Sequence, residues 1–475
     1  MRRTFIVLFC FLALGAGVAP AASAATLPRV PHDYRVAGER QLSSGVTETT
    51  LVRAHPPSVV HVATRTAGSP AELRVVLSNE AVAGAEPRLE RTSSMCARIR
   101  CLVAVNGDFF ATTGQPVGAV VADDQLLRSP NAKHHQLIEA PDGALSTGQI
   151  GWRGSLVPSD LQQLELDGVN IDRDRDELVL YTPAQGASTG ANPYGGEMAL
   201  EVVRPEGPIR IGQTTLVRIA NMRRGGDTPI PAGGAVLSGH GKSLRALEDL
   251  WARVQAGTAD AEALLRLDTT PDAEESIGGS PILVRNGKRW FADEDRDLFR
   301  LRAPRTIAGW TPSGDLLLVT VDGRQPGYSL GMTMAEAADL MIGLGAAEAI
   351  NLDGGGSTTF VAGGAVINRP SDRAVRRGSS TVVVKTPRAG DKVIGNVERP
   401  VAVAVALVAP GFAGPGGSVP ASLVVPLGRG GTGATPAVML NSSDGPDTGV
   451  TVMVLLALGV AVVSARRRAA ALRSA

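Results

Sequence analysis

The sequence predicts an α+β fold: one domain rich in mixed β-sheet with interspersed helices, followed by a C-terminal single transmembrane helix. Three observations carry this. Short β-branched runs recur along most of the chain, only two stretches stand out with helical periodicity, and a late apolar run abuts a cluster of arginines.

The strand-like runs lie at residues 58–64, 74–77, 101–105, 177–181, 316–321 and 380–384. One helix begins near Ser243 and carries Leu247, Leu250, Trp251 and Val254 on one stripe. A second opens at Thr333, with Glu336 three residues later as a capping box. Ala337, Leu340, Met341 and Leu344 form its apolar face, and Gly343 and Gly345 stop it. No repeat of solenoid period is present.

The chain's 475 residues, 44% hydrophobic and 20% charged, suffice for one large domain with attachments. A formal net charge of +1 argues against a general polyanion binder, so no nucleic-acid partner is expected. Residues 1–24 read as a signal peptide: Arg2 and Arg3, then an apolar run, then Ala22-Ser-Ala24. Cys10 is removed with it. Cys96 and Cys101 remain, and in an oxidising compartment their spacing permits a short disulfide, a free pair being the alternative.

Residues 448–465 carry no charge and just span a hydrocarbon core of roughly 30 Å. The basic tail 466–475 marks the cytoplasmic side and leaves the rest outside. The expected organisation is therefore a folded domain at 36–387, a Gly-, Pro-, Ala- and Val-rich stalk or linker at 388–447, then the anchor. Residues 401–409 are the one part of that stalk with strand character.

Three segments share a pattern in which an apolar strand ends, an acid follows, and glycines or small polar residues come next. They are Val103-Ala-Val-Asn-Gly-Asp-Phe-Phe110, Leu318-Val-Thr-Val-Asp-Gly-Arg324 and Ala349-Ile-Asn-Leu-Asp-Gly-Gly-Gly-Ser-Thr-Thr359. A carboxylate at a strand's end is held by rigid backbone where the sheet opens to solvent, and adjacent glycines admit a ligand to main-chain N–H groups. The third run lacks the lysine of a nucleotide-binding loop. Arg305-Thr306 offers a guanidinium, whose fork matches two oxygens of a phosphate or carboxylate. The acids at 172–177 alternate with arginines and lack the glycine of a calcium loop, so they read as a solvated edge. His134 and His135 have no ligand pair at metal spacing and read as surface residues.

In this order, these segments resemble the phosphodiester glycosidase family. The likeness runs from about Val36 to Lys385 and rests on Asn106-Gly-Asp-Phe-Phe110, Gly114-Gln-Pro-Val-Gly118, Asn170 with Arg173, Gly278-Gly-Ser-Pro-Ile-Leu283, Arg305-Thr306, Asp322-Gly-Arg324 and Asn351-Leu-Asp-Gly-Gly-Gly-Ser-Thr358. The chain departs from the family pattern at Arg377-Gly-Ser-Ser380.

The resemblance implies hydrolysis of a sugar-1-phosphodiester at the anomeric carbon, releasing a sugar such as N-acetylglucosamine from a surface glycopolymer or glycolipid. Asp108 and Asp353 would be the acidic pair, one as nucleophile or base and the other orienting or protonating. Arg305 would clamp the phosphate, aided by Thr306 and the N–H groups of Gly354, Gly355, Gly356 and Ser357. Asn106, Asp322, Asn351 and Thr358 complete the expected substrate-binding set. The residues require no cofactor, with calcium the one metal left open. A P–O-cleaving phosphodiesterase of cell-wall polymers and a non-catalytic glycopolymer-binding surface protein are the competing readings.

Overall fold

The computed structural model describes residues 27–84, 88–131, 134–291 and 297–411. The expected signal peptide, the span at 448–465 and the basic tail lie outside the described residues. Among those described, no helix is long and apolar enough to cross a membrane.

β-structure dominates. An eight-stranded central sheet runs in the order Arg35–Ser43, Val46–Arg53, Ser58–Arg65, Leu316–Val321, Arg305–Trp310, Glu348–Asn351, Ile282–Arg285, Lys288–Arg289. Its inner strands, such as Ser58–Arg65 and Leu316–Val321, are buried on both faces, which explains their nearly continuous apolar sequences, while the edge strands Arg35–Ser43 and Lys288–Arg289 are exposed. One face, with Val60, Val62, Ile307, Leu317 and Val319, packs under the helix Met334–Gly343 through Ala337, Leu340 and Met341. That helix starts at the predicted Thr333–Glu336 capping box, in which each side chain accepts from the other residue's backbone N–H. Such a cap is worth about 1 kcal/mol.

The other face of the central sheet, with Ala63, Leu316, Leu318 and Ile350, packs against a five-stranded sheet of order Ala365–Val366, Phe360–Ala362, Val103–Asn106, Val403–Val408, Glu72–Leu77. A second five-stranded sheet places Glu275–Gly279 between Val120–Ala122 and His135–Glu139. It joins a further eight-stranded sheet, built from strands between Gly151 and Thr270, around a separate core. The helix Lys242–Gln255 covers that sheet, burying Leu247 and Leu250 as the sequence stripe predicts.

Two expectations change. Apart from the short Gly168–Val169 pairing with Leu178–Tyr181, the named strand pairs are antiparallel, so the sheets are less mixed than anticipated. The boundary at Pro387 falls inside the domain. Val403–Val408 is a fully buried central strand, paired on one side with Glu72–Leu77 and on the other with Val103–Asn106. Lys392–Val397 pairs with Asp372–Arg377 in a three-stranded sheet. Residues 388–411 thus belong to the fold rather than to a stalk.

Candidate active site

Asp108 and Asp353 each follow the last residue of a strand, Asn106 and Asn351, in two different sheets packed face to face. The Asp353 N–H donates to Gly107 O at 2.9 Å, and the Asn106 amide donates to Asp353 O at 2.6 Å, so the two acid-bearing turns are stitched together.

Asp108 is 1% exposed, and protein donors engage both of its oxygens. Phe109 N–H donates to Oδ1 at 2.7 Å and Gly118 N–H to Oδ2 at 2.6 Å. His134 Nε2 lies 2.8 Å from Oδ1, and a carboxylate there selects the Nε2–H tautomer. Glycines wrap the carboxylate closely. A Cβ on Gly278 would stand 2.4 Å from Asp108 Oδ2, and one on Gly118 would stand 2.9 Å from the same atom. His134, expected at the surface, is therefore part of the site, half-buried and edge-on to Phe109.

Asp353 is held differently. Only Oδ1 takes a backbone donor, the N–H of Gly354 at 2.9 Å. Burial raises its pKa to about 6; Ser357, Arg399 and the Gly354 N–H oppose the rise, and the charge of Asp108 adds to it. Of the two acids, Asp353 is the one with an oxygen left to offer a substrate.

The glycines after Asp353 meet a specific need. A Cβ on Gly354 would lie 2.7 Å from Pro304 O, one on Gly355 would lie 2.9 Å from an Arg324 guanidinium nitrogen, and one on Gly356 would overlap the Arg399 guanidinium. Gly355 also has φ +65°, which a residue with a side chain rarely adopts. The run thus makes room for two arginines rather than baring a row of N–H groups. Those of Gly354, Gly355 and Ser357 are already engaged with Asp353, Pro304 O and Gly354 O. Arg399 pairs with Asp372 at 2.6 Å, while Lys385 lies within electrostatic reach of Arg324, Arg399, Asp372 and Asp353. Arg324, Lys385 and Arg399 therefore surround the Asp353 loop with positive charge.

Several expected ligands turn out to be framework. Arg305 is buried, donating from Nε to Met332 O at 2.9 Å and from Nη2 to Leu301 O at 2.8 Å, so it braces the loop and is not a phosphate clamp. Desolvation, then Arg324, lower its pKa to about 10. Asn106, Thr306 and Thr358 are buried, with the Thr306 hydroxyl donating to Asn106 Oδ1 at 2.7 Å. Asp322 is 1% exposed and accepts from Tyr328 OH, Asn368 Nδ2 and Arg369 N–H, which pins the return of the chain after the glycine loop. Asn351 donates to Ser280 O and Leu352 O, while its Oδ1 and the Oδ1 of Asp372 are buried with no described partner. Cys96 and Cys101 form a disulfide behind Val103–Asn106. Among the described residues, no three His, Cys, Asp or Glu side chains converge on a metal-sized site.

The carboxylate pair lies at the seam of two packed sheets with cations around it, and the phosphodiester glycosidase family model matches residues 216–407. The resemblance read from the motifs therefore holds, over a segment that includes Gly278, Arg305, Asp353 and most of Val403–Val408 but begins after Asp108. Among curated proteins, N-acetylglucosamine-1-phosphodiester alpha-N-acetylglucosaminidase from Bos taurus is 32% identical over 142 residues, covering 26% of this chain and 27% of that protein. The Homo sapiens enzyme is 31% identical with the same coverage. The chain thus spans about a quarter of the length of the curated relatives it matches. The fold is shared with a hypothetical protein from Synechocystis at TM-score 0.54 and 19% identity, covering 78% of this chain and 63% of that one.

Proposed function

We propose that this chain is an extracytoplasmic, membrane-tethered glycosidase that hydrolyses sugar-1-phosphodiester linkages on a surface glycopolymer or glycolipid, releasing a sugar such as N-acetylglucosamine. The observation that carries it is the pairing of a half-buried carboxylate, Asp353, with a fully buried one, Asp108, inside a ring of Arg324, Lys385 and Arg399. The similarity to the N-acetylglucosaminidases supports the choice of bond and sugar. The signal-like N-terminus and the apolar run at 448–465 support the location.

In this reading the bond between the anomeric carbon and the phosphate oxygen breaks. The oxygen departs with the electron pair as a phosphomonoester, its charge met by Arg324 and Arg399. That leaving group needs little proton donation. Ionised Asp353 removes a proton from the incoming water, or attacks the anomeric carbon and is then displaced by water. Either route ends in free sugar plus phosphomonoester. Asp108 touches no reacting atom: fixed by His134 and two N–H groups, it positions the turn and sets the field at Asp353.

Incubating the purified protein with a UDP-sugar or a simple sugar-1-phosphate ester separates this reading from its rivals. Free sugar is the expected product. Sugar phosphate would mean P–O cleavage, and no product from any ester would favour a binding protein. Turnover at the wild-type rate by Asp353→Asn would refute the assignment of Asp353.

A further inference from the structure

Beyond the cations that ring Asp353, the three-stranded sheet carries positive charge the reaction does not use. Between Asp372 and Arg399 the chain has seven Arg and Lys residues against three Asp and Glu, although the whole protein carries only +1. Two of the seven have acid partners, Arg399 with Asp372 and Arg377 with Asp391. Arg376 and Lys392 have none among the described residues. They stand directly opposite each other on neighbouring strands, both exposed. Like charges in that position repel across the ladder, and no buried contact of their own offsets the repulsion.

The register fixes where this pair lies relative to the site. Asp372, Ala374 and Arg376 alternate onto one face of the central strand Asp372–Arg377, with Val383 and Thr381 beside them on one neighbouring strand and Lys392 on the other. The Asp372 carboxylate on this face points to the glycine loop, since a Cβ on Gly356 would stand 2.4 Å from its Oδ1. The same face is open to solvent further out, where Arg376, Thr381, Val383 and Lys392 are all exposed. The opposite face carries the fully buried Val375. Four residues of strand separate Asp372 from Arg376, roughly 13 Å. An open track therefore leads from the Asp353 loop to an unneutralised pair of cations.

We infer that Arg376 and Lys392 bind a second anion on the leaving-group side of the substrate, so that the preferred substrate is polyanionic, with a further phosphate seated roughly 13 Å along the strand beyond Asp372. This rests on the glycosidase reading for the reaction but not for the binding. Two phosphates on one flexible chain would occupy the ring at Asp353 and the Arg376–Lys392 step together, and the second contact adds affinity without touching the chemistry. The near-zero net charge of the whole chain conceals the track because acids elsewhere cancel it.

The test compares the wild type with the double variant Arg376→Gln, Lys392→Gln on two substrates sharing one scissile bond: the methyl ester of N-acetylglucosamine-1-phosphate, and an oligo(glycerol phosphate) bearing that diester at its end. KM for the oligomer is expected to rise about tenfold more than KM for the methyl ester, as two exposed charge contacts would give. That excess should fade as salt is raised. Equal losses on both substrates, or none on either, would overturn the inference.

Fluorescence anisotropy with labelled oligo(glycerol phosphate) measures the binding separately. If neither substrate releases sugar, weaker oligomer binding by the double variant still supports the anion step, while undiminished binding sinks it. Phosphatidylglycerol vesicles form the remaining arm: if the double variant loses vesicle binding but keeps oligomer binding, the face meets a membrane and the inference falls.

Discussion

Replacing Asp353 by Asn should remove activity and, at neutral pH, make the protein more stable. The carboxyl pKa is raised from 3.8 to about 6, chiefly by burial, so the folded state holds its proton more tightly than the unfolded chain does. Well below pH 3.8 both states are protonated and the effect vanishes. As pH rises from about 4 to about 6, the unfolded chain ionises first and stability falls; above that window the penalty is complete. At about 1.4 kcal/mol per tenfold in acid dissociation, the penalty at pH 7.5 approaches 3 kcal/mol, and relaxation of the half-buried site reduces it to roughly 1–3 kcal/mol. Asn keeps the shape and an oxygen to accept from Gly354 N–H, so it relieves the charge without opening a cavity. Urea titration of the purified wild type and variant at pH 7.5 and pH 4 measures this. The variant should gain roughly 1–3 kcal/mol at pH 7.5 and only a small fraction of that at pH 4, with turnover reduced by about 10²–10⁴. A variant less stable at pH 7.5, or a gain of equal size at both pH values, would refute desolvation as the cause of the raised pKa.

Three further outcomes follow from the same site. For the wild type, kcat/KM should rise with pH through about 6 as Asp353 ionises; a rate that instead rises as pH drops below 6 would make Asp353 a proton donor. Gly278→Ala should destabilise by about 1–3 kcal/mol and cut kcat, because its Cβ would press on the Asp108 carboxylate; an unchanged melting temperature and rate would show that Asp108 has room to move. The two arginines should separate: Arg324→Gln raises KM about tenfold or more with stability kept, whereas Arg305→Gln costs about 1–3 kcal/mol in stability by orphaning two buried carbonyls, so a large KM effect from Arg305 and none from Arg324 would reverse their roles.

Which parts of the fold were legible depends on how local their causes are. The helix Met334–Gly343 is specified within a few residues by Thr333, Glu336 and the closing glycines, and it forms where those residues place it. The strand Ser58–Arg65 likewise carries its own β-branched signal. Val403–Val408 was harder for a physical reason. A central strand buried on both faces has no polar alternation, so Val-Ala-Val-Ala-Leu-Val resembles the low-complexity tail around it. Its assignment requires knowing that Glu72–Leu77 and Val103–Asn106 wait on either side, more than 290 residues away in sequence.

The site divides along the same line. Asp108 and Asp353 were visible because each sits beside glycines that its own turn requires. Their partners were not, since the chain brings His134 to Asp108 across 26 residues and Arg399 to the Asp353 loop across 46, with no spacing rule to announce either. Arg305 misled for the opposite reason. Its sequence neighbours make it conspicuous, but a guanidinium donating to Met332 O and Leu301 O has little left for a substrate. An arginine beside a motif is ambiguous between clamp and brace, and burial with backbone acceptors decides for the brace. The exposed Arg324, whose guanidinium reaches over Gly355, has the access that Arg305 lacks. The triple glycine thus has a sharper meaning than a bare anion loop. It is the space two arginines need to come within reach of one carboxylate.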